Sequence, residues 1–408
     1  MLSTSGAGPC RAGSPNPAKQ AKPALDRDAK GRGMASATDY GRIIVLAGAG
    51  ASRALGFPTM AEFPKLFASI GGELSALTDG MGWAEKGGDL EFIYDRLDLY
   101  VEAGQCCVEE GDMNLQQAFG GSDHAAELCG RARSALSRLE ELIVEKLGKV
   151  TCSERPPLMN YSQVVNELIR ISGSPLRVFT TNYDLTFESL PCLSKPGALV
   201  NGIRPDRRSR EFRWSRAAYD DAADEATRVV LYRLHGCSHW FADADAGEFD
   251  RIVYLPELPR FEENTRPIVI FPARRKAGLE YRNPFSFAYN ELRKAIVSAE
   301  LCVVIGYSFR DPGIEDAILD ARRLNRQIKF AVVDRREDSD SFYRKLGQWL
   351  TVCVQGEFGE PRVNSCLLST CERLLSGKWV EIGDVPLVPG DACENRCAAA
   401  SGCNVRVY

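Results

Sequence analysis

Short apolar runs that stop abruptly at glycine or a polar residue recur along this chain. They constrain its fold more than any other feature. Ile43-Ile44-Val45-Leu46-Ala47 is followed at once by Gly48, and similar runs lie at Arg177 to Thr180, Val229 to Leu234, Pro267 to Phe271, Cys302 to Ile305 and Lys329 to Val333. A continuous apolar run of this length reads as a strand buried on both faces. Helical periodicity falls between several of the runs. The expected fold class is therefore α/β: a doubly wound, mostly parallel, Rossmann-like sheet with helices on both faces.

The first two strands are separated by about 130 residues, far more than a crossover needs. Leu90, Ile93, Tyr94, Leu97 and Tyr100 recur at helical spacing, as do Leu128, Ala132, Ala135, Leu139, Leu142 and Leu147. This predicts a helical insertion module over roughly 62–172 within a main domain of 40–383. Residues 1–39 are rich in Gly, Ala, Pro, Ser and Lys, and are expected to be disordered. A start at Met1 and a start at Met34 both fit that reading. Residues 202–227 are polar and read as a long mobile loop. The tail, 384–408, is Cys-rich and expected to be irregular.

Composition excludes several function classes. Lys plus Arg number 51 against 55 Asp plus Glu, a net charge of −4, so the electropositive footprint of a nucleic-acid binder is missing. No apolar run reaches the roughly 18 residues a membrane span needs. The chain starts without an apolar signal segment, and its 14 Cys are too dilute for a disulfide scaffold; a reducing cytoplasm and free thiols are expected. The C-terminal cysteines Cys366, Cys371, Cys393, Cys397 and Cys403 contain no CxxC pair, so no metal is expected. His239 follows His235 at an i, i+4 spacing, but it comes after a strand and is read as a loop histidine beside Trp240.

Four strand ends carry the candidate chemistry. GAGASRALGFP (48–58) follows the first run. Gly48 and Gly50 permit a tight turn, and a following helix aims amides at a phosphate. The dinucleotide fingerprint is incomplete, because Arg53 stands where its third Gly belongs, and no Walker lysine is present. Taken alone, this loop also fits a plain strand-to-helix turn. RVFTTNYD (177–184) ends in Thr181, Asn182 and Asp184; VVLYRLHG (229–236) ends in His235; LCVVIGYSFRDP (301–312) ends in Gly306, Ser308 and Asp311. Ligands of open α/β sheets bind beyond the carboxyl ends of the strands, so these segments are expected to meet in one crevice. Singly, each also fits a structural role.

In that order, GAGAS…GFP, TTNYD, HG and GYSFRDP resemble the sirtuin superfamily over about residues 40–335. The wording of TTNYD and GYSFRDP is most similar to the bacterial sirtuin-like branch of anti-phage defence proteins, whose activity is commonly NAD cleavage. The resemblance implies that NAD is the substrate. Gly48, Ala49, Gly50 and Ser52, with Pro58 closing the loop, would hold the pyrophosphate and its adjoining sugar. Thr181 would bind the cofactor, Asn182 would sit at the nicotinamide ribose and place water, and Asp184 would approach the carboxamide. His235 would be the general base. Gly306 and Ser308 would line the adenosine half, and Asp334 would take the adenine ribose hydroxyls. The four-Cys zinc module of protein-deacylating sirtuins is missing, since only Cys237 lies between His235 and Cys302. The acidic-Phe-Arg signature after the G-x-P is replaced by TMAEF.

The expected function is thus an NAD⁺ glycohydrolase yielding nicotinamide and ADP-ribose, or a cyclic variant, in defence by NAD depletion. The alternatives are a non-enzymatic NAD or ADP-ribose sensor and an NAD-dependent deacylase. A separate activator protein, or assembly into a homo-oligomer, is expected to set it off. The insertion and the 202–227 loop are the candidate lid or oligomer interface.

Overall fold

The computed structural model describes residues 41–59, 62, 90–107, 113, 114, 117, 120–148, 156–206, 211–242, 252–257, 267–271, 281–335, 346, 350–377 and 405–407. From Tyr40 onward the chain is one compact unit. The predicted disordered segment 1–39, and all of the tail except 405–407, lie outside the described residues.

In chain order, β1 (Ile43–Ala47) leads into a 3-10 turn (Ala49–Leu55), then α1 (Leu90–Gln105), α2 (Ser122–Gly148) and α3 (Pro156–Ser172). Next come β2 (Leu176–Thr180), β3 (Leu199–Val200), β4 (Ile203–Pro205), β5 (Phe212–Trp214), β6 (Val229–Arg233), β7 (Gly236–Ala242), β8 (Ile252–Tyr254) and β9 (Pro267–Val269). The rest runs α4 (Phe285–Ser298), β10 (Leu301–Ile305), α5 (Pro312–Leu324), β11 (Lys329–Asp334), β12 (Leu350–Gln355), α6 (Pro361–Ser376) and β13 (Val405–Val407).

The larger sheet has the order β13-β12-β11-β10-β1-β2-β6-β3. Its seven strands from β12 to β3 are parallel, and β13 closes the edge antiparallel to β12. The fold is the expected doubly wound α/β arrangement. Alternate side chains of each strand enter opposite layers, as the pleat requires. Ile43, Val45 and Ala47 of β1 join one core with Val178, Val303 and Val333, covered by Leu158, Val164 and Leu168 of α3 and Val363 and Leu367 of α6. Ile44 and Leu46 join the other with Phe179, Val304 and Val332, covered by Leu292 and Ile296 of α4 and Ile314 and Ile318 of α5. From β1 the chain winds outward to β2, then returns to β10 on the other side. That reversal opens a crevice above β1.

Some expectations are corrected. Pro267 to Phe271 supplies β9 of a second, antiparallel sheet, order β4-β5-β8-β7-β9, and not a parallel strand. Its core is Cys237, Trp240, Ile252, Ile268, Ile270 and Phe285. The stretch read as a mobile loop, 202–227, holds β4, β5 and a 3-10 helix (Arg216–Ala223). Its polar text hides two aromatics that anchor it: Tyr219 stacks on Tyr232 at 4.9 Å, and Trp214 meets Phe287 edge-on at 6.2 Å. His239 lies on β7, buried, with its Nδ1 2.6 Å from the Leu255 carbonyl. The last three described residues of the tail are strand, not irregular. Among the described residues of the predicted insertion, helices α1 and α2 pair with each other, whereas α3 lies on the sheet.

Candidate functional site

The strands of the parallel sheet end at one level. Thr181 N–H donates to Ala47 O, Leu234 N–H to Thr180 O, Gly48 N–H to Ile305 O, and Gly306 N–H to Val333 O. The segments just beyond therefore share one rim. They enclose a cavity of about 350 Å³.

The glycines do something the sequence did not disclose. Gly306 has φ +57, and a Cβ there would lie 2.3 Å from the carbonyl carbon of Gly50. A Cβ on Gly48 would lie 2.7 Å from Gly306 O and from Tyr307 Cα. The loops after β1 and β10 thus touch backbone to backbone at the reversal of the sheet. The amides of Gly48 and Gly50 bond to Ile305 and Gly306 carbonyls, so they are committed to that contact. Ala49, Gly50 and Pro58 line the cavity; Gly48 does not.

Ser52 also turns away from the cavity. It is 1% exposed; its Oγ accepts from Asn182 Nδ2 at 2.9 Å and lies 3.1 Å from Thr186 Oγ1. Its place is behind Asn182, where it fixes the amide. The bond from Nδ2 to Ser52 sets the orientation of the Asn182 side-chain amide, and the residue lines the cavity.

Thr181, Asn182 and Asp184 form a sharp turn after β2, and all three line the cavity. The Thr180 hydroxyl accepts from Asn182 N–H, and Asp184 Oδ1 accepts from Thr186 N–H at 2.9 Å. Arg233, at the end of β6, holds the turn from below. Its Nη1 donates to Asn182 O at 2.9 Å and its Nη2 to Asp184 O at 2.8 Å. The same guanidinium pairs with both oxygens of Glu188, at 2.7 and 2.8 Å. Burial pushes the Asp184 carboxyl above its usual range, against the lowering effect of Thr186, Ser52 and Arg233.

His235 leaves β6 one strand over from Asn182. Its Nε2 lies 2.5 Å from Asp311 Oδ2. Asp311 caps α5: its Oδ1 accepts from Gly313 N–H at 2.9 Å and Ile314 N–H at 3.4 Å. The Tyr289 hydroxyl of α4 stands 3.3 Å from both His235 Nε2 and Asp311 Oδ2. Both His235 and Asp311 line the cavity, as do Gly306 and Ser308.

The cavity is also lined by Asp334 and Arg335 at the end of β11, and by Glu357 and Phe358 after β12. Tyr161 of α3 ties the segments after β1 and β12 together, its hydroxyl bonded to Ala51 O and Phe358 O. Arg53, in the missing-glycine position, reaches Glu62 Oε1 at 3.0 Å and Glu357 Oε2 at 3.1 Å. Thus Glu62 of TMAEF answers Arg53. Burial opposes the charge of Glu62, but the Thr59 amide and hydroxyl and Arg53 lower its pKa to about 2.

Sequence reasoning had no role for Arg233, Glu188, Tyr289 or Arg53. It placed Asp311 at a strand end without a partner. The DP pair opening a helix was the available signal, since Asp before Pro is an N-cap pattern. Among the described residues, no group of three or more His, Cys, Asp or Glu could hold a metal ion, and no helix is long and apolar enough to cross a membrane.

Residues 176–351 match the family described as SIR2-like domain. The matched stretch runs from β2 to the start of β12, so it carries Asn182, Asp184, His235, Gly306, Ser308 and Asp334. No curated protein matches the chain. Among solved structures it is similar to a Sir2 homologue in complex with NAD, at 14% identity and a TM-score of 0.42, covering 81% of this chain and 90% of the other. It is also similar to a Sir2 homologue in complex with 2′-O-acetyl ADP-ribose, at 15% identity and a TM-score of 0.41, covering 82% and 93%. A third is Sir2 bound to acetylated peptide, at 13% identity and a TM-score of 0.36, covering 82% and 92%.

Proposed function

We propose that this chain is a sirtuin-like enzyme that hydrolyses NAD⁺ to nicotinamide and ADP-ribose. The observation that carries the reading is that Asn182 and His235, from the ends of adjacent strands, line one cavity inside the segment that matches a SIR2-like domain.

The bond to be broken joins C1′ of a ribose to a cationic pyridinium. It ionises through an oxocarbenium-like state, as glycosides do. What the protein must add is placement of the ribose and water, and a group to take the water's proton. The Asn182 carbonyl oxygen is suited to the first task, because Ser52 and Arg233 fix the residue on both sides. His235 is suited to the second, since an imidazole takes protons near neutral pH. As water attacks, its oxygen bonds to C1′ and its proton passes to the imidazole. The C1′–N electron pair leaves with neutral nicotinamide. The Asp184 carboxyl, which lines the same cavity, would meet the carboxamide. A carboxylate at Asp334, which lines the cavity, would suit ribose hydroxyls better than a 2′-phosphate.

Hydrolysis is preferred to deacylation because only Cys237 lies between His235 and Cys302, and the described residues of that stretch supply β7, β8 and β9 of the small antiparallel sheet. NAD depletion in anti-phage defence, in the cytoplasm, is the role that fits such an activity. The activity would be off at rest and switched on by a separate activator or by assembly into a homo-oligomer. Incubation of the purified chain with NAD, with products identified by mass spectrometry, tests the reading. Nicotinamide with ADP-ribose or its cyclic form supports it; turnover only with an acetyl-lysine peptide, yielding O-acetyl ADP-ribose, contradicts it.

A further inference from the structure

The general base proposed above has a partner that the sequence did not assign. We propose that Asp311 is the positioning residue for His235: it fixes the imidazole in one tautomer, with the proton on Nε2, and so makes Nδ1 the proton acceptor. This rests on the NAD-hydrolase reading for its catalytic consequence, but its geometry stands by itself.

Three features carry the inference. First, the two side chains are close and shielded: Nε2 to Oδ2 is 2.5 Å, with side-chain exposures of 13% and 7%. A carboxylate only accepts, so the imidazole nitrogen facing it carries the proton. Second, the carboxylate itself cannot rotate freely. Its Oδ1 receives the Gly313 and Ile314 amides at the start of α5, which directs Oδ2 at His235. Third, Tyr289 donates to the same Oδ2 from a separate helix, closing the site on its third side. Asp311 therefore joins β6 to α5 through the ring of His235. If it were only a helix cap, Oδ2 would have no reason to be held against an imidazole.

In the reaction the water proton goes to Nδ1, giving an imidazolium whose Nε2–H remains on Asp311. The carboxylate faces that positive charge without taking the proton. The imidazolium then returns one proton to solvent, and the enzyme is restored.

The capping geometry supplies an unusually clean test. In Asp311→Asn the two backbone amides still need an acceptor, so the side-chain oxygen stays at the Oδ1 position. That forces the new NH₂ toward His235 Nε2. Helix capping survives, because Asn caps as well as Asp, but the ring must now keep its proton on Nδ1. The expected results are a loss of kcat of about 100-fold or more, with KM for NAD and the melting temperature near wild type. The ¹⁵N imidazole signals of His235 should exchange protonated and unprotonated character; with three histidines in the chain, assignment is straightforward. Asp311→Ser keeps a cap and removes the partner, and should lose kcat without the tautomer reversal. Adding Asp311→Asn to His235→Ala should cost little more than His235→Ala alone. Wild-type kcat in Asp311→Asn with unchanged imidazole signals overturns the proposal. The nitrogen signals need no turnover. A chain that cleaves no NAD but shows the reversal therefore loses the hydrolase reading and keeps the Asp311 assignment.

Discussion

Thr180 of β2 and Arg233 of β6 are register partners in adjacent parallel strands, and each precedes a polar residue by two positions: Asn182 on one strand, His235 on the other. Parallel register thus delivers an amide and an imidazole side by side at the rim of one cavity. Neither residue needs a special loop to reach its neighbour. The same relation makes Arg233 more than a strand residue, because from its paired position it bonds the carbonyls of Asn182 and Asp184.

Replacing Arg233 by Met should therefore damage stability before chemistry. The change leaves Glu188 without its buried partner and the two carbonyls without donors. Breaking a buried pair in this way costs about 3–5 kcal/mol. Urea unfolding should show a loss of unfolding free energy of that size, seen as a lower midpoint, with loss of NAD turnover following from the disturbed turn.

Ser52→Ala separates orientation from binding. The hydroxyl is behind Asn182 and not on the cavity wall, so its loss leaves the Asn182 amide unpartnered on that side at about 1–3 kcal/mol. The expected kinetic result is a fall in kcat with KM changed less than threefold. A rise in KM alone would mean that Ser52 touches ligand directly.

Gly306→Ala should be far less tolerated than a surface glycine change. A left-handed backbone costs an L-residue about 1–2 kcal/mol, and the new Cβ would strike Gly50 at 2.3 Å. Either the loops after β1 and β10 separate or the variant fails to accumulate as folded protein. Thermal melting of this variant beside Gly173→Ala, whose added Cβ meets nothing within 4 Å, isolates the clash from the backbone strain they share.

Asp184 gives a pH dependence with a definite sign. Its carboxyl is raised in the folded state by burial, so the native protein holds this proton more tightly than the unfolded chain does. Its contribution to stability is complete below the ordinary aspartate range. It fades as pH rises through the elevated native value. Asp184→Asn keeps the acceptor for the Thr186 amide and removes the titration. From acid toward neutral pH, the variant should lose less stability than wild type, read by urea midpoints across the series.

The central sheet was legible because its inner strands are unbroken apolar runs between glycines, and burial on both faces leaves no other reading for text such as IIVLA or LCVVI. The strand β12, LTVCVQ, was not recognised: Thr351 and Gln355 leave only three consecutive apolar residues. His239 was read as a loop histidine because it follows the glycine that ends a strand, while the pairing of its strand with β8 and β9 depends on segments up to about 30 residues away. Asn182 and His235 could be found because strand ends in open α/β sheets point at ligands. Arg233 and Asp311 could not be given their roles. Each acts through partners 45 to 76 positions distant, and no local pattern encodes which carbonyl or ring they will meet. Ser52 was recognised as a site residue, but a hydroxyl's direction is set by packing, and here it faces inward.

The most direct test of the account measures NAD turnover and NAD affinity together in the wild type, Asn182→Ala and His235→Ala. The account predicts that the wild type releases nicotinamide and that His235→Ala loses about 10²–10⁴ in kcat, about 3–5 kcal/mol of barrier lowering. Asn182→Ala should lose activity as well, and both variants should still bind NAD within about tenfold of wild type by calorimetry. Undiminished nicotinamide release with either residue replaced would contradict it.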